Sequence, residues 1–511
     1  MGNDILEALM SILSLQGIVC MALGVCIGTV FGAIPGLNGG LAMCVLIPVT
    51  FTMDPMPAIL LLLGVYCAGM YGGSLSSILL GTPGSVESSA TCLDGRPLAV
   101  QGYANKALKM ALFASVAGGV ISAILLMGAA PTIAKYAVHL GAPEYFAAAL
   151  LGIAIIAGVS GKSPFYGFIA AGIGVLCSCI GVDTTFGAQR YTFGNLNLLG
   201  GMPLLPLLLG VFAMSEVYKG LLKRHQDSQG VEVFPHQPDD RLTKKDVKTC
   251  GTTILKGSMI GSIIGAIPGA GCAIAAFISY AEAKRSSKTP LRFGTGCIEG
   301  VAAPESANNA VAASSFIPLL TLGIPGSVGA ATLQGALNMQ GVACGPLMMT
   351  QQGVMFWGII LGFLIIQFIM LGEGFLFIRI FKNIMNVPMD LVRASLVVFC
   401  LAGAYVYQKR PFDILAFIVI GTLFYVLFKF GATGAPFVLG FILGPTIEFN
   451  LCGSLVIGQG SPMVFLTRPV CLVLEIAAVA IFILLYRQNK MCNRMMQESL
   501  KDQVDELGEE V

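Results

Sequence analysis

The hydrophobic positions of this chain cluster into long stretches with almost no charged residues, separated by short polar or glycine-rich breaks. Examples are the stretches 111–130, 353–371 and 470–486. Each is close to or within the roughly 17 to 25 apolar residues that cross a bilayer as an α-helix. The pattern therefore predicts an all-α polytopic membrane protein.

Counting these stretches predicts about 11–12 membrane segments. They comprise two short hairpins near residues 35 and 268, five spans after each hairpin, and one further span at the end. The predicted spans are 58–80, 107–131, 144–160, 164–182 and 199–219, then 303–323, 352–378, 390–408, 411–430 and 435–452, and finally 464–486.

An ordered series of internal echoes predicts that the chain arose by duplication. The first pair, GTVFGAIPG and GSIIGAIPG, shares six of nine letters. The later pairs are GTPGS with GIPGS and LAVQG with LNMQG, and their order is kept. The second member of each pair lies about 230 to 250 residues after the first, a fixed offset that similar composition alone does not explain.

A polar stretch between the two halves divides the chain into five predicted regions. They are a first membrane repeat (1–219), a cytoplasmic linker (220–252), a second membrane repeat (253–452), an additional C-terminal transmembrane helix (453–490) and a cytoplasmic tail (491–511).

The distribution of basic residues predicts that the two repeats are inverted. The first basic residue in the chain is Arg96, so the segment around Pro35 has none close on either side. The matching segment around Pro268 is flanked by Lys244, Lys245, Lys248, Lys256, Lys284, Arg285, Lys288 and Arg292. Positive loops stay in the cytoplasm. The second segment is therefore expected to enter from the cytoplasm and the first from outside.

The length of the second segment predicts a re-entrant hairpin. Between Lys256 and Lys284 each arm has about 12 to 14 residues, or roughly 20 Å, which cannot cross about 30 Å of hydrocarbon. The simplest solution places the Pro-Gly tip near the middle of the membrane. The alternative is a parallel repeat in which both Pro-Gly segments are full spans.

Composition supports the membrane class and narrows the function. The chain is 56% hydrophobic and 11% charged, whereas soluble domains carry about 25% charged residues. The net charge of +2 predicts no nucleic-acid partner. The 15 cysteines lie mostly singly in apolar segments and the three histidines form no cluster. We therefore predict no metal site, no cofactor and no enzymatic activity.

The glycine-proline breaks provide the candidate substrate site. Helices that restart after a break expose free N–H groups and a positive dipole end, which bind an anion without a buried arginine. Irregular backbone at membrane depth is tolerated only where protein or water satisfies it. The predicted substrate-binding residues are Asn38, Gly39, Gly40, Thr82, Gly84, Ser85, Gly271, Gly326 and Ser327.

A second set of residues is predicted to couple transport to a cation. Asn308 and Asn309 follow Glu305 by three and four residues, so they share a helical face with it. Ionisable residues inside membrane segments are usually functional. The predicted coupling residues are Gly36, Ser74, Glu305, Asn308, Asn309 and Ser314. The alternative is that Glu299 and Glu305 cap a helix that begins near Ser306. For Gly24, Gly28 and Gly32, spaced by four, helix packing is the favoured role.

At these residues the chain resembles the large membrane (permease) subunit of the tripartite tricarboxylate transporters. The resemblance rests on residues 24–51, on the segment from Tyr71 to Gly84, on the IPGAG motif that begins at Ile267 and on EGVAAPESANN at 299–309. It covers about residues 15 to 485. One departure is Asn38-Gly39-Gly40, which replaces the Gly-Pro often found after Pro-Gly-Leu.

The resemblance implies a multi-pass protein of the bacterial inner membrane. Its implied partners are a small four-helix membrane subunit, a periplasmic solute-binding protein, membrane lipid and a small carboxylate such as citrate. It implies symport with a cation, usually Na⁺, by alternating access, with an elevator-type movement as the expected mechanism. The sequence agrees that ATP is not used, since it has no GxxxxGK[ST] loop.

The sequence is also compatible with other functions. One is a stand-alone secondary transporter, or a channel, for another small anion. A channel would need a continuous polar face along several spans, which these spans lack. An intramembrane enzyme would need a catalytic set, and a structural scaffold would leave the paired breaks without a purpose.

Overall fold

The computed structural model describes residues 2–34, 37–159, 164–183, 187–215, 217–218, 237–268, 271–384, 389–430, 433–483 and 487. Their contacts divide into two compact units. The first is built from the described parts of Met1–His139 and Pro203–Tyr425. The second is built from those of Leu140–Met202 and Val426–Val511. Each unit combines segments from both halves of the sequence.

The described chain is mostly helical. In the first half the helices are α1 (Gly2–Ile12), α2 (Leu15–Ala33), α3 (Gly39–Thr50), α4 (Pro55–Leu80), α5 (Ser89–Leu98), α6 (Ala104–Ala137), α7 (Ala142–Val159), α8 (Pro164–Ser178) and α9 (Leu204–Leu208). Short π-helical turns join α5 to α6 over Ala99–Tyr103 and extend α9 over Leu209–Met214.

The second half follows a similar succession. Its helices are α10 (Lys244–Gly265), α11 (Cys272–Ser286), α12 (Ile298–Ser314), α13 (Phe316–Leu322), α14 (Val328–Met339), α15 (Met348–Gln351), α16 (Gly353–Ile384), α17 (Met389–Gln408), α18 (Pro411–Lys429), α19 (Gly434–Ile457), α20 (Met463–Thr467) and α21 (Pro469–Ile483). Single 3₁₀ turns lie at Leu196–Leu198 and Pro290–Arg292.

The helices confirm a multi-pass membrane protein. Six helices among the described residues are long and apolar enough to cross a membrane, and six more are apolar but shorter. The long ones are Leu15–Ala33, Pro55–Leu80, Ser89–Ala137 (in which α5 and α6 are joined), Gly353–Ile380, Pro411–Lys429 and Gly434–Ile457. The total of about 11–12 segments stays a prediction.

Capping residues set the helix ends in the first unit. Asn38 accepts a hydrogen bond from the Leu41 N–H at 2.9 Å and begins α3. Ser327 accepts one from the Ala330 N–H at 3.1 Å and begins α14. Helix α4 ends at Gly81, the first residue of the GTPGS break, and α13 ends at Gly323, the first residue of the GIPGS break. Both glycines have a left-handed conformation. Only glycine adopts this conformation without strain, so it makes an efficient helix stop.

The same glycine contacts recur in the two halves of the first unit. Gly28 on α2 lies directly against the backbone of Val65 on α4, and Gly261 on α10 lies against Ala307 on α12. The contacts one turn before and after also match: Gly24 with Leu61 and Gly257 with Ala303, then Gly32 with Gly69 and Gly265 with Val311. A Cβ at any of these glycines would overlap the neighbouring backbone, so the predicted packing role is confirmed.

The long helices of the two halves meet antiparallel. Ser74 on α4 contacts Glu305 on α12, whereas Tyr66, two turns earlier on α4, contacts Ser315 just beyond the end of α12. The residue number on α4 falls from 74 to 66 as the number of its contact partner in the second half rises from 305 to 315, which defines an antiparallel pair. By the glycine contacts, α2 runs parallel to α4 and α10 runs parallel to α12.

The second unit is held by close helix packing and by ion pairs. Gly174 and Ala171 of α8 pack against Phe437 and Gly440 of α19. Arg190 pairs with Glu448 of α19, and Arg468 pairs with Glu144 at 3.1 Å. Residues Gly181–Val182 and Gln189–Arg190 form a two-residue antiparallel ladder, which is an exception to the predicted all-α fold.

Two boundaries differ from the prediction. Thr243 and Asp246 form a capping box, with N–H to side-chain distances of 3.0 and 3.2 Å, and start α10 at Lys244. Helix α10 therefore has 22 residues and begins 12 residues before Lys256, from which the predicted arm is counted. The predicted linker boundary at 252 consequently falls inside α10. Residues 220–236 of the predicted linker and the predicted tail from 491 lie outside the described residues.

Candidate functional site

Four helices of the first unit each begin after one of the breaks. They are α3 at Asn38, α5 at Ser88, α11 at Gly271 and α14 at Ser327. Gly271 has φ of +76°, a conformation that glycine adopts without strain. Helix N-termini carry unpaired N–H groups and about half a positive charge, so these starts are suited to an anion.

Tyr66 lies beside three of these helix starts. Its hydroxyl is 2.8 Å from the Ser327 Oγ and 3.4 Å from the Ser315 Oγ. A Cβ on Gly39 would lie 3.5 Å from the Tyr66 carbonyl oxygen, so the start of α3 packs here too. Cys272, the first residue of α11, lies near the Tyr66 side chain. Tyr66 therefore connects both halves of the chain at the candidate site.

The two breaks contact the ends of the preceding hairpin arms in matching ways. A Cβ on Gly84 would overlap the Gly32 carbonyl oxygen, and one on Gly326 would lie 2.9 Å from the Gly265 carbonyl oxygen. No larger residue fits at either position without a shift of the backbone. Both predicted glycines therefore hold a break against its hairpin.

Ser85 and Ser88 stabilise the irregular backbone of the first break. The Ser88 hydroxyl donates to the Ser85 carbonyl oxygen at 2.8 Å, and it lies 3.2 Å from the Ser85 N–H. Both serines are buried. Glu87, between them in sequence, lies near Cys272 at the start of α11.

Glu305 lies at the contact between the two halves. Its side chain is 0% exposed and accepts hydrogen bonds from three hydroxyls on three helices. Ser74 of α4 and Thr91 of α5 donate to Oε1, and Ser115 of α6 donates to Oε2 at 2.8 Å. The alternative that Glu305 caps a helix is wrong, because α12 begins seven residues earlier at Ile298. Glu299, in the first turn of α12, fits that alternative.

Three buried polar side chains near Glu305 have no hydrogen-bond partner among the described residues. They are Tyr71, through its hydroxyl, and Asn308 and Asn309, through both amide atoms. Their exposures are 0%, 1% and 0%. Buried polar groups in folded proteins are nearly always paired, so unpaired groups of this kind point to a ligand or bound water.

Other predicted residues lie apart from this cluster. The Ser314 hydroxyl faces α10, where it donates to the Ala310 carbonyl oxygen at 2.9 Å and lies 3.4 Å from that of Gly261. Thr82 is exposed, and a Cβ on Gly40 would meet only the Asn38 side chain at 3.3 Å. Gly36 lies outside the described residues. The functional roles of all the predicted residues stay predictions.

The sequence-based prediction missed four residues of this region. Tyr66 and Tyr71 lie in the apolar stretch of α4, where a buried tyrosine hydroxyl needs a partner and is itself a signal. Thr91 and Ser115 donate to Glu305 from helices 190 or more residues away in the chain. No pattern in the sequence around Thr91 or Ser115 predicts that their hydroxyls contact Glu305.

A second buried carboxylate binds the loop at residues 294–297, which the predicted topology places on the cytoplasmic side. Asp94 on α5 accepts hydrogen bonds from the N–H groups of Gly294, Gly296 and Cys297 at 2.7–2.9 Å. Its other oxygen accepts from the Tyr280 hydroxyl at 2.8 Å. These bonds tie α5 to the start of α12.

Comparisons with known proteins show to which family the chain is similar. The model of the tripartite tricarboxylate transporter TctA family matches residues 18–439. An uncharacterised 52.8 kDa protein in the TAR-I ttuC' 3' region of Agrobacterium vitis is 37% identical over 470 residues, covering 91% of this chain and 93% of its own. A protein in the TAR-II ttuC' 3' region of the same organism is 43% identical over 210 residues, covering 41% of this chain and 87% of its own. No solved structure matches the chain.

Proposed function

The chain belongs to the tripartite tricarboxylate transporter TctA family, the large membrane subunits of these transporters, and we propose that it takes up a small carboxylate by symport with a cation. The proposed driving force is a Na⁺ gradient. The substrate class is a tricarboxylate such as citrate, or another small carboxylate.

The observation that carries this proposal is the meeting of helix starts around Tyr66. Helix N-termini attract carboxylates through their N–H groups and dipoles. In secondary transporters, broken helices of this kind bind anionic substrates near the middle of the membrane. The capping hydroxyl of Ser327 and the amide of Asn38 would add hydrogen bonds to the substrate.

An inverted-repeat architecture with two re-entrant hairpins is the proposed basis of alternating access. The antiparallel packing of α4 on α12 supports it, because these helices occupy equivalent positions in the two halves. The flanking lysines and arginines of the second hairpin support a cytoplasmic entry. An elevator-type movement of the hairpins and broken helices is the proposed mechanism.

The proposed location is the bacterial inner membrane. The proposed partners are a small four-helix membrane subunit and a periplasmic binding protein that delivers the carboxylate. Both proposals rest on family membership, since the two relatives from Agrobacterium vitis are themselves uncharacterised.

Uptake of radiolabelled citrate and of smaller dicarboxylates, with and without Na⁺, tests the proposal. Cells that express the three subunits should accumulate one carboxylate only when a Na⁺ gradient is present. Uptake that follows ATP and ignores ion gradients would contradict the proposal. Uptake by this chain without its partners would instead favour a stand-alone transporter or channel.

Substitutions test the position of the substrate site. Asn38→Ala and Ser327→Ala should each raise the apparent substrate constant about tenfold, the effect of losing one good hydrogen bond to a charged group. Ser279→Ala is the matched control, because Ser279 is also buried but bonds the Ala303 carbonyl oxygen at 2.7 Å. Unchanged constants in both variants at normal protein level would mean that the site lies elsewhere.

A further inference from the structure

Building on the proposed cation-coupled transport, we propose that α4 and α12 enclose a binding site for one monovalent alkali cation. Glu305 is its charged ligand. Tyr71, Asn308 and Asn309 supply neutral oxygen ligands from the two facing helices.

The position of the site follows from two hydrogen-bonded ties between α4 and α12. Ser74 meets Glu305 at one tie, and Tyr66 meets Ser315 at the other. Ser74 follows Tyr66 by eight residues on α4, a rise of about 12 Å along the helix. Because the helices are antiparallel, Tyr71 on α4 and the two asparagines on α12 all lie between the two ties.

The polar side chains between the two ties have unused hydrogen-bonding capacity that a ligand could satisfy. The Tyr71 hydroxyl and all four amide atoms of Asn308 and Asn309 are buried and have no protein partner within the described residues. Buried polar atoms that stay unpaired destabilise a fold. Asn308 and Asn309 lie within one turn of Glu305, and Tyr71 lies one turn before Ser74 on the facing helix, so these side chains indicate a bound polar species.

The charge at one end of the site favours a cation. Glu305 is fully buried, and its hydrogen-bond partners among the described residues are the neutral hydroxyls of Ser74, Thr91 and Ser115. A buried carboxylate needs a compensating positive charge. Glu87 lies near Glu305 and places a second acidic side chain in this region.

The ligand atoms favour an alkali cation over a proton or a transition metal. Carboxylate, hydroxyl and amide oxygens suit hard cations, whereas no imidazole or thiolate is part of this set. A proton on Glu305 would neutralise the charge, but it would leave the Tyr71, Asn308 and Asn309 oxygens unpaired. A cation between the helices satisfies the charge and these oxygens together.

Cation binding to the purified full-length protein in lipid nanodiscs tests the site directly. Thermal unfolding is measured against NaCl, LiCl, KCl and CaCl₂, with choline chloride at constant ionic strength. A cation that binds only the folded state raises the unfolding temperature in a saturable way. The wild type should respond to Na⁺ or Li⁺, and Tyr71→Phe should raise the half-saturating concentration about tenfold.

Two further variants separate loss of the site from loss of the fold. Glu305→Gln keeps the shape of the side chain and should abolish the response to Na⁺. Asn309→Leu removes an unpaired amide at similar volume, so it should raise the unfolding temperature in choline while it abolishes the response to Na⁺. The control, Ser279→Ala, should keep the wild-type half-saturating concentration, because Ser279 bonds α12 outside the two ties.

The proposal fails if the wild type shows no Na⁺ or Li⁺ response, or if all variants keep the same half-saturating concentration. A response to pH alone would identify a proton, and a stronger response to Ca²⁺ would identify a divalent ion, and either result overturns the proposal. Carboxylate uptake in cells, measured in parallel, separates the two hypotheses. Cation-dependent uptake with unchanged binding in the variants rejects only this site, whereas uptake that needs no cation rejects the proposed function.

Discussion

The two hairpin-and-break regions of the first unit share their backbone contacts but differ in their chemistry. In both, glycines spaced by four on the first arm pack against the next long helix, and a break glycine packs against the end of that arm. The matched contacts pair residue 61 with 303, residue 65 with 307 and residue 69 with 311. The long helices are therefore equivalent at an offset of 242 residues.

At this offset the polar residues of α12 correspond to a different set on α4. Glu305, Asn308 and Asn309 correspond to Leu63, Tyr66 and Cys67. The two halves share the small residues that allow close helix packing, whereas the side chains between the two long helices differ. The comparison teaches that the glycine packing recurs in both halves, while the candidate cation site draws its charge from one of them.

Substitution of the packing glycines should have the largest effect and should be equal in the two halves. Gly28→Leu and Gly261→Leu each place a side chain on the backbone of the facing helix, which should destabilise the fold by more than about 4 kcal/mol. The yield of monodisperse protein in detergent measures this effect. Gly128→Leu is the control, since a Cβ there meets nothing within 4 Å. Normal yield of only one glycine variant would break the equivalence.

The equivalent residues Leu63 and Glu305 should affect different properties. Leu63→Ala leaves a cavity and should lower the free energy of unfolding by about 3 kcal/mol, with the cation dependence of uptake unchanged. Glu305→Gln should lower uptake at least about tenfold, with a change in stability below about 1 kcal/mol. Denaturation and uptake assays on the same preparations compare them. Equal effects of both variants on cation dependence would contradict a cation site that draws its charge from one half.

Loss of Asp94 should break a contact between the two halves that has no counterpart at the matching position of the second half. Asp94→Ala leaves three backbone N–H groups without their carboxylate and should cost about 2 kcal/mol. Helix α14, the counterpart of α5, contains no acidic residue to play this part. The shift in thermal midpoint measures the effect. Glu282→Gln, in an exposed pair with Arg285, serves as the control and should leave the midpoint unchanged.

Tyr66 and Ser327 should be energetically coupled across the two halves. Tyr66→Phe removes only the hydroxyl, and we expect a loss of about 1 kcal/mol of stability. Ser327→Ala in the Tyr66→Phe background should then cost less than it does in the wild type. A double-mutant cycle of unfolding free energies measures the coupling. Strict additivity would show that the 2.8 Å contact carries no energy.

The caps of the two hairpins should respond differently to acid. Burial raises the pKa of Asp246, but hydrogen bonds from Thr243 and Lys106 outweigh it and hold the pKa below its ordinary value of 3.8. A carboxylate with a lowered pKa stabilises the fold at neutral pH, and this contribution is lost as the pH falls below about 4.

The stability lost on substitution of the two caps should therefore depend on pH in one case and not in the other. Asp246→Asn should cost about 0.5 kcal/mol at pH 7 and progressively less as the pH falls below about 4. Ser14→Ala, at the uncharged cap of α2, should cost about 1 kcal/mol at both pH values. Unfolding midpoints at the two pH values provide the measurement, and a pH-independent effect of Asp246→Asn would contradict the assignment.

The sequence by itself determined the membrane class and the packing role of the spaced glycines, and it predicted the duplication. These features are local: a run of apolar residues is enough to predict a membrane helix, and a glycine spacing of four places every glycine on one helical face. It also singled out Glu305, Asn308 and Asn309 as neighbours, because they lie within one turn of each other.

Only the tertiary structure decided which side chains surround Glu305 and which residue joins the helix starts. Ser74, Thr91 and Ser115 come from three other helices, and Tyr66 reaches Ser327 across 261 residues of chain. The structure also showed that Ser314 lies apart from Glu305, because its hydroxyl is on the face of α12 that packs against α10. Helix rotation and long-range pairing depend on the packing of all the helices together, so no local pattern in the sequence specifies them.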